Sequence, residues 1–208
     1  MHDEKGKLNM YQCILASGSP RRKEILEQCG IPFAVVKSDV EEVITKTEPG
    51  EVVQELSLLK AQDVADKVKK EKCIIIGADT IVAHGSKILG KPIDEEDAFQ
   101  MIQSIQGEAH SVYTGVTLII KNGKEQTKLT FFEETKVEME SMTDEEIKEY
   151  VKSGESMDKA GSYAIQGKFA IYIKGMEGDY YNVVGLPIAR IRKELKKVQI
   201  DLKKDCKR

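Results

Sequence analysis

Apolar and polar residues alternate in blocks along this chain, and the period changes from block to block. Residues 11–16 form a short apolar run that predicts a strand. Ser17-Gly18-Ser19-Pro20 then turns the chain into a helix reaching about Cys29. Ser19 is placed for the N-cap, Pro20 for the first helical position, and Gly30 and Pro32 act as stop signals. Residues 33–37 predict a second strand. Residues 48–70 predict a long helix, with Val52, Val53, Leu56, Leu59, Val64 and Val68 on one face. Residues 73–77 are apolar without alternation, as in a strand covered on both faces. Residues 81–83 and 87–89 flank Gly85-Ser86 as a hairpin, and residues 94–105 predict a helix capped by Asp94. Two long strands, 109–120 and 126–139, are joined at Asn122-Gly123. Thr143-Asp144-Glu145-Glu146 is a capping box opening a helix to about Val151. Residues 163–165 and 169–173 are strand-like, and Leu186-Pro187 opens a last helix to about Val198. Helices interleaved with long antiparallel hairpins predict an α/β fold around a mixed sheet, not a doubly wound parallel one.

The chain has 208 residues, with no internal repeat and no linker-like Pro/Gly/Ser stretch. This predicts a single domain over residues 10–200 whose lobes, if there are two, share interwoven segments. Residues 1–9 read as a disordered extension and 201–208 as a frayed, basic helical tail. Apolar residues make up 40% and charged residues 32%, the balance of a soluble globular protein. The net charge of −3 argues against a broad nucleic-acid or membrane surface but leaves room for one small cationic pocket. The longest apolar runs, 73–76 and 116–120, fall far short of the roughly 18 residues that span a bilayer. No apolar signal core opens the chain, so a cytoplasmic location is expected. Cys13, Cys29, Cys73 and Cys206 form no CxxC pair and no zinc-like spacing with histidine; in a reducing compartment they are free thiols.

Ser17-Gly18-Ser19-Pro20-Arg21-Arg22-Lys23 sets three cations at a helix start, where the helix dipole disfavours them by ~0.3–1 kcal/mol each. A bound polyanion offsets that cost, with backbone N–H groups, hydroxyls and arginines facing phosphate oxygens. A solvated basic helix start is the competing reading. In Gly77-Ala78-Asp79-Thr80, Asp79 is expected at the carboxyl end of a buried strand, as a general base, a metal ligand or a turn cap. Gly90-Lys91-Pro92 holds a lysine in a rigid turn, able to meet phosphate as a point charge. Lys60 falls near the apolar stripe of its helix, where it either snorkels or serves a site, and Glu42 belongs to an adjacent acidic pair. Ser162, Tyr163 and Gln166 carry hydroxyl and amide groups able to read a base edge, with turn-rich packing as the alternative.

These residues, together with His110-Ser111-Val112-Tyr113-Thr114-Gly115-Val116, residues 158–167 and residues 182–187, follow the order of motifs in the Maf family. The chain resembles that family from about Met10 to Lys196. The family comprises nucleoside triphosphate pyrophosphatases, once described as septum-formation inhibitors. The resemblance implies an elongated mixed α/β sheet in two lobes around a central cleft, similar to the inosine-triphosphate pyrophosphatases. It implies hydrolysis between the α and β phosphates, giving the monophosphate and pyrophosphate. Residues 160–167 look like the branch acting on dTTP and UTP, with CTP and modified pyrimidine nucleotides as further candidates. The branch acting on 7-methyl-GTP typically has Ser-Glu-Gly where this chain has Ile165-Gln166-Gly167. The extension 1–9 and the Asp179-Tyr180 pair depart from the pattern.

By resemblance, Asp79 is the catalytic base and also a metal ligand. Glu42 helps bind metal or water. Ser17, Arg21, Arg22, Lys60 and Lys91 face phosphates, and Gln166 contacts the base, with Ser162 and Tyr163 beside it. On this reading Lys23 joins the same cluster. The implied cofactor is a divalent metal (Mg²⁺, Mn²⁺ or Co²⁺) and the implied partner a small nucleotide, with no nucleic acid or membrane; family members are often homodimers. Two other readings stand beside it. One is a nucleotidyltransferase, because residues 15–21 loosely resemble the phosphate loop of sugar-nucleotide pyrophosphorylases. The other is a non-catalytic nucleotide-binding regulator of cell division.

Overall fold

The computed structural model describes residues 10–207; the extension expected over residues 1–9 lies outside them. The first strand, β1 (Tyr11–Leu15), leads into α1 (Pro20–Gln28), followed by the short β2 (Ala34–Val35). Helix α2 (Pro49–Lys67) precedes β3 (Lys72–His84), which hairpins into β4 (Lys87–Leu89). Helix α3 (Glu95–Ile105) is followed by β5 (Ala109–Asn122) and β6 (Glu125–Met139), then α4 (Asp144–Lys152). Two 3₁₀ turns (Ala160–Ser162 and Gly167–Tyr172) lead to β7 (Ile173–Glu177), α5 (Tyr180–Val184), α6 (Ile188–Lys197) and β8 (Cys206–Lys207).

One eight-stranded sheet runs in the order β2-β1-β3-β5-β6-β7, with β4 paired to β3 and β8 to β1. β1 is parallel to β2, β3 and β8, whereas β3-β5, β5-β6 and β6-β7 are antiparallel. This is the mixed α/β sheet expected from the hairpin signals. Period-two alternation sends Cys13 and Leu15 to one face, and Ile14 and Ala16 to the other. Helix α6 covers the first face through Ile191 and Leu195, and α2 covers the second through Ala61, Val64 and Ala65. A separate core lies at the other end of the long strands, where Val82, Val112, Val137 and Met139 meet α3, α4 and Phe169. The strands β3, β5 and β6 run through both cores, so the two lobes share their sheet.

Local signals set several boundaries. Asp94 accepts from the Asp97 N–H at 2.8 Å and starts α3. The Thr143/Glu146 capping box is complete and starts α4. Lys121 donates to the Ala65 and Val68 carbonyls at 2.5 and 3.1 Å, closing the end of α2.

Four expectations change. Residues 73–77 and 81–83 belong to one strand, because β3 continues along β5 from Lys72↔Asn122 to Ala83↔Ser111 after its pairing with β1 ends at Ile76. Asp79 therefore lies mid-strand opposite Gly115, just past the end of β1. Residues 163–165 are not a strand, and most of 169–173 is 3₁₀ turn. Gly161 (φ 68°) and Ser162 (φ 61°) take left-handed backbone that breaks any ladder there. The tail is no helix: Asp201 accepts from the Lys203 and Lys204 N–H groups, and buried Leu202 and Cys206 draw the chain back onto β1 as β8.

Candidate active site

Between the two cores lies a cavity of about 430 Å³. Its lining draws on the β1–α1 turn, the middle of β3, α2, the Lys91 turn and the segment 158–166. Two glycines make the assembly possible. A Cβ on Gly115 would fall 2.1 Å from the Val53 carbonyl oxygen, and one on Gly77 would fall 2.4 Å from that of Ser57. Only glycine lets α2 lie this close to the sheet. The close approach brings Lys60 Nζ to 2.5 Å from Asp79 Oδ1 and 2.9 Å from Glu42 Oε1. Lys60 and Asp79 are largely shielded, at 17% and 13% side-chain exposure, whereas Glu42 reaches in from an open loop at 48%.

The turn before α1 is built around Arg22. Its Nε donates to the Gly185 carbonyl at 2.8 Å, and its terminal nitrogens donate to Ser17 Oγ at 3.0 Å and Thr80 Oγ1 at 3.1 Å. Loss of hydration pushes the Arg22 guanidinium below the usual arginine range, against the attraction of Asp79. Ser17 Oγ also accepts from the Ser19 N–H at 3.3 Å. Ser19 stands at the N-cap without a capping side-chain bond, and no acidic residue lies in the first turn of α1.

Arg21 points across the cavity. Its guanidinium donates to the Asp158 carboxylate at 3.0 Å and to the Asp158 carbonyl at 3.4 Å. Lys159 also pairs with Asp158 and donates to the Glu155 carbonyl at 2.9 Å. Partial burial works to raise the Asp158 pKa, but the hydrogen bonds from Lys159 and Arg21 outweigh it and hold the carboxyl below its usual range. Lys91 borders the cavity, exposed, with no ion pair or hydrogen bond to its ammonium among the described residues.

The site thus offers five cations (Arg21, Arg22, Lys60, Lys91 and Lys159) around three carboxylates (Glu42, Asp79 and Asp158) in a space of nucleotide size, opening at a basic helix N-terminus. Over residues 12–198 the sequence matches the Maf-like protein family. The chain belongs to that family. A dTTP/UTP pyrophosphatase from Lachnoclostridium phytofermentans is 56% identical over 94% of this chain and 99% of its own. One from Agathobacter rectalis is 51% identical over 93% and 100%, and one from Bacillus cereus (strain ATCC 10987) is 49% identical over 97% of each. A solved nucleoside-triphosphatase / dITP/XTP pyrophosphatase from Mycobacterium abscessus aligns over 62% of this chain and 74% of its own. Its identity is 14% and its TM-score 0.35, too distant to bear on fold or function.

In this Maf-like chain Ser17, Arg21, Arg22, Glu42, Lys60, Asp79, Lys91, Tyr163 and Gln166 all border one cavity. Three residues sit differently from expectation. Arg22 borders the cavity as a strut, with one N–H of each guanidinium nitrogen held by a protein oxygen. Ser162 faces away from the cavity, fully buried, with its hydroxyl 3.1 Å from Met101 Sδ; its left-handed backbone turns it into the second core. Lys23, one residue further round α1, is not part of the lining. Tyr163 borders the cavity, but its hydroxyl is bonded to His110 at 2.7 Å. The Gln166 amide has no hydrogen-bond partner among the described residues. Sequence reasoning missed Thr80, Asp158 and Lys159. Thr80 directly follows Asp79, and Asp158-Lys159 opens the motif that ends at Gln166, so position within the motifs was the available signal. No helix among the described residues is long and apolar enough to cross a membrane.

Proposed function

We propose that this protein is a nucleoside triphosphate pyrophosphatase acting on dTTP and UTP in the cytoplasm. The observation that carries this reading is the convergence of Arg21, Lys60, Lys91 and Lys159 with Asp79 and Glu42 on one cavity of about 430 Å³. Relatives that carry the dTTP/UTP pyrophosphatase name align over nearly the full length of the chain. In this reading the N–H groups at the start of α1, Arg21 and Lys91 receive the phosphates. Gln166 meets the base with its unpaired amide. Asp79, steered by the Lys60 ammonium, takes a proton from water as the water oxygen attacks the α-phosphorus. The bond from that phosphorus to the bridging oxygen breaks, and pyrophosphate leaves. Positioning and charge stabilisation supply most of the rate, with about 10²–10⁴-fold from the base.

Two carboxylates that already converge on one cationic centre, Lys60 Nζ, are suited to a divalent cation. No group of three or more His, Cys, Asp or Glu able to hold a metal occurs among the described residues. Glu42 and Asp79, the two carboxylates that meet at Lys60 Nζ, are the side chains that would hold it. When bound, Mg²⁺, Mn²⁺ or Co²⁺ supplies charge neutralisation to the phosphates. The four free thiols suit a reducing compartment.

The test is a panel of nucleoside triphosphates assayed for pyrophosphate with each metal, using the wild-type protein and Asp79→Asn. Release of pyrophosphate and monophosphate from dTTP and UTP, lowered at least 10²-fold in Asp79→Asn, is expected. No release from any triphosphate returns the chain to a nucleotide-binding regulator. Release only with a second substrate makes it a nucleotidyltransferase.

A further inference from the structure

Beneath the cavity, His110 and Tyr163 meet at the boundary between the sheet and the segment that carries Gln166. His110 sits on β5 opposite Val137 of β6. Its Nε2 is 2.7 Å from the Tyr163 hydroxyl, and the rings meet edge to face at 5.2 Å. Both residues are buried, at 3% and 5% exposure. The Tyr163 ring rests on Phe169, which packs in turn on Tyr150 and Tyr172, so it is braced on its far side.

The turn entering Tyr163 is held in a conformation that side chains rarely adopt. Gly161 has φ 68°, and a Cβ there would press on Val82 at 2.8 Å. Ser162 has φ 61°, a left-handed state that a non-glycine residue keeps only when its surroundings enforce it. The Gly161 N–H donates to the Gly90 carbonyl at 2.9 Å, and Gly90 precedes Lys91. Three residues after Tyr163 the chain delivers Gln166 to the cavity. One strained turn thus joins the Lys91 loop to the Gln166 segment, and the His110–Tyr163 bond is a buried polar anchor at its end.

We infer that His110 and Tyr163 are a positioning pair that fixes the Gln166 segment, so that discrimination among bases depends on a hydrogen bond lying beneath the cavity. This deepens the function proposed above and rests on Gln166 meeting the base. Burial, with a smaller contribution from His84, lowers the His110 pKa to about 4, and burial raises that of Tyr163. Both groups are therefore neutral near pH 7, and the bond does not change with ordinary pH.

The experiment compares Tyr163→Phe, His110→Leu and His110→Gln with wild type. It measures kcat and KM for dTTP, UTP and GTP, together with thermal melting. Tyr163→Phe keeps the ring packing and removes only the bond. It raises KM for dTTP and UTP about tenfold, the range expected for one hydrogen bond. It changes kcat less, leaves KM for GTP unmoved, and so narrows the preference. His110→Leu behaves the same way, whereas His110→Gln, which offers an amide near the Nε2 position, keeps the wild-type preference. If Tyr163→Phe does not fold, the contrast between His110→Leu and His110→Gln decides. A bond-breaking variant with the wild-type preference, or equal preference in His110→Leu and His110→Gln, overturns the pair while leaving the proposed function intact. A wild-type protein that releases no pyrophosphate from dTTP or UTP overturns both.

Discussion

Replacing His110 by glutamine should change how stability depends on pH, by an amount the structure sets. The imidazole is pressed to a pKa of about 4 by burial and by the nearby His84 charge. In the unfolded chain it titrates near 6.5. Between these values the unfolded state holds a proton that the native state does not, so wild-type stability falls as pH falls through that window. The shift, 6.5 − 4, is about 2.5 units, or ~3 kcal/mol when fully expressed. Between about pH 7.5 and about pH 4.5, roughly 2–3 kcal/mol of it should be lost. Groups common to both proteins drop out of the difference. Urea unfolding of wild type and His110→Gln at several pH values in this range gives that difference directly. The mutant should be the weaker protein at neutral pH, having lost packing around the ring. Its disadvantage should shrink or reverse by ~2–3 kcal/mol at the acid end. Two parallel stability curves would show that the imidazole titrates as an ordinary exposed one, and the buried neutral pair would be wrong.

Gly115→Ala should destabilise the fold by on the order of 3 kcal/mol, because its Cβ meets the Val53 backbone at 2.1 Å and lifts α2 from the sheet. Thermal melting reads the loss, and residual folded protein should also lose activity as Lys60 leaves Asp79. Thr143→Ala removes one half of the α4 capping box and should cost ~1 kcal/mol in urea unfolding with unchanged KM. Lys91→Ala should leave the melting temperature alone, since the ammonium has no protein partner. It should raise KM by about thirtyfold if a charge-assisted bond to phosphate worth ~2 kcal/mol is lost; unchanged KM removes Lys91 from the site.

Much of the fold was legible because its signals are local. Thr143 and Glu146, Asp94, and Asn122-Gly123 act within a few residues of themselves, and α4, α3 and the β5–β6 hairpin lie where those signals put them. The misreadings came from longer range. Nothing near residues 77–81 says that β3 continues, because the partner that carries it past β1 is β5, more than thirty residues away in sequence. Residues 163–165 and 169–173 have strand-like composition, yet Gly161 and Ser162 set a left-handed backbone just before the first of them. The basic tail looked helical by composition, but buried Leu202 and Cys206 outweighed its lysines.

For the site, the sequence by itself named the chemistry: a helix start rich in arginine, an acid beside a buried strand, and lysines in restrained places. Residue type and spacing left each of these open to a structural reading, and it was the resemblance to the Maf family that gathered them into one expected phosphate site. Only the tertiary structure decided which charges are free to act. Arg21 and Arg22 are adjacent in the chain, yet one reaches Asp158 across the cavity while the other is locked to Ser17, Thr80 and Gly185. By its helix position Lys60 could either snorkel or serve a site, and Gly77 and Gly115 let α2 settle close enough for it to join Asp79 and Glu42. Spacing along a helix fixes a side chain's direction, but whether that direction ends at water, at a carboxylate or at a ligand depends on what the rest of the chain packs against it.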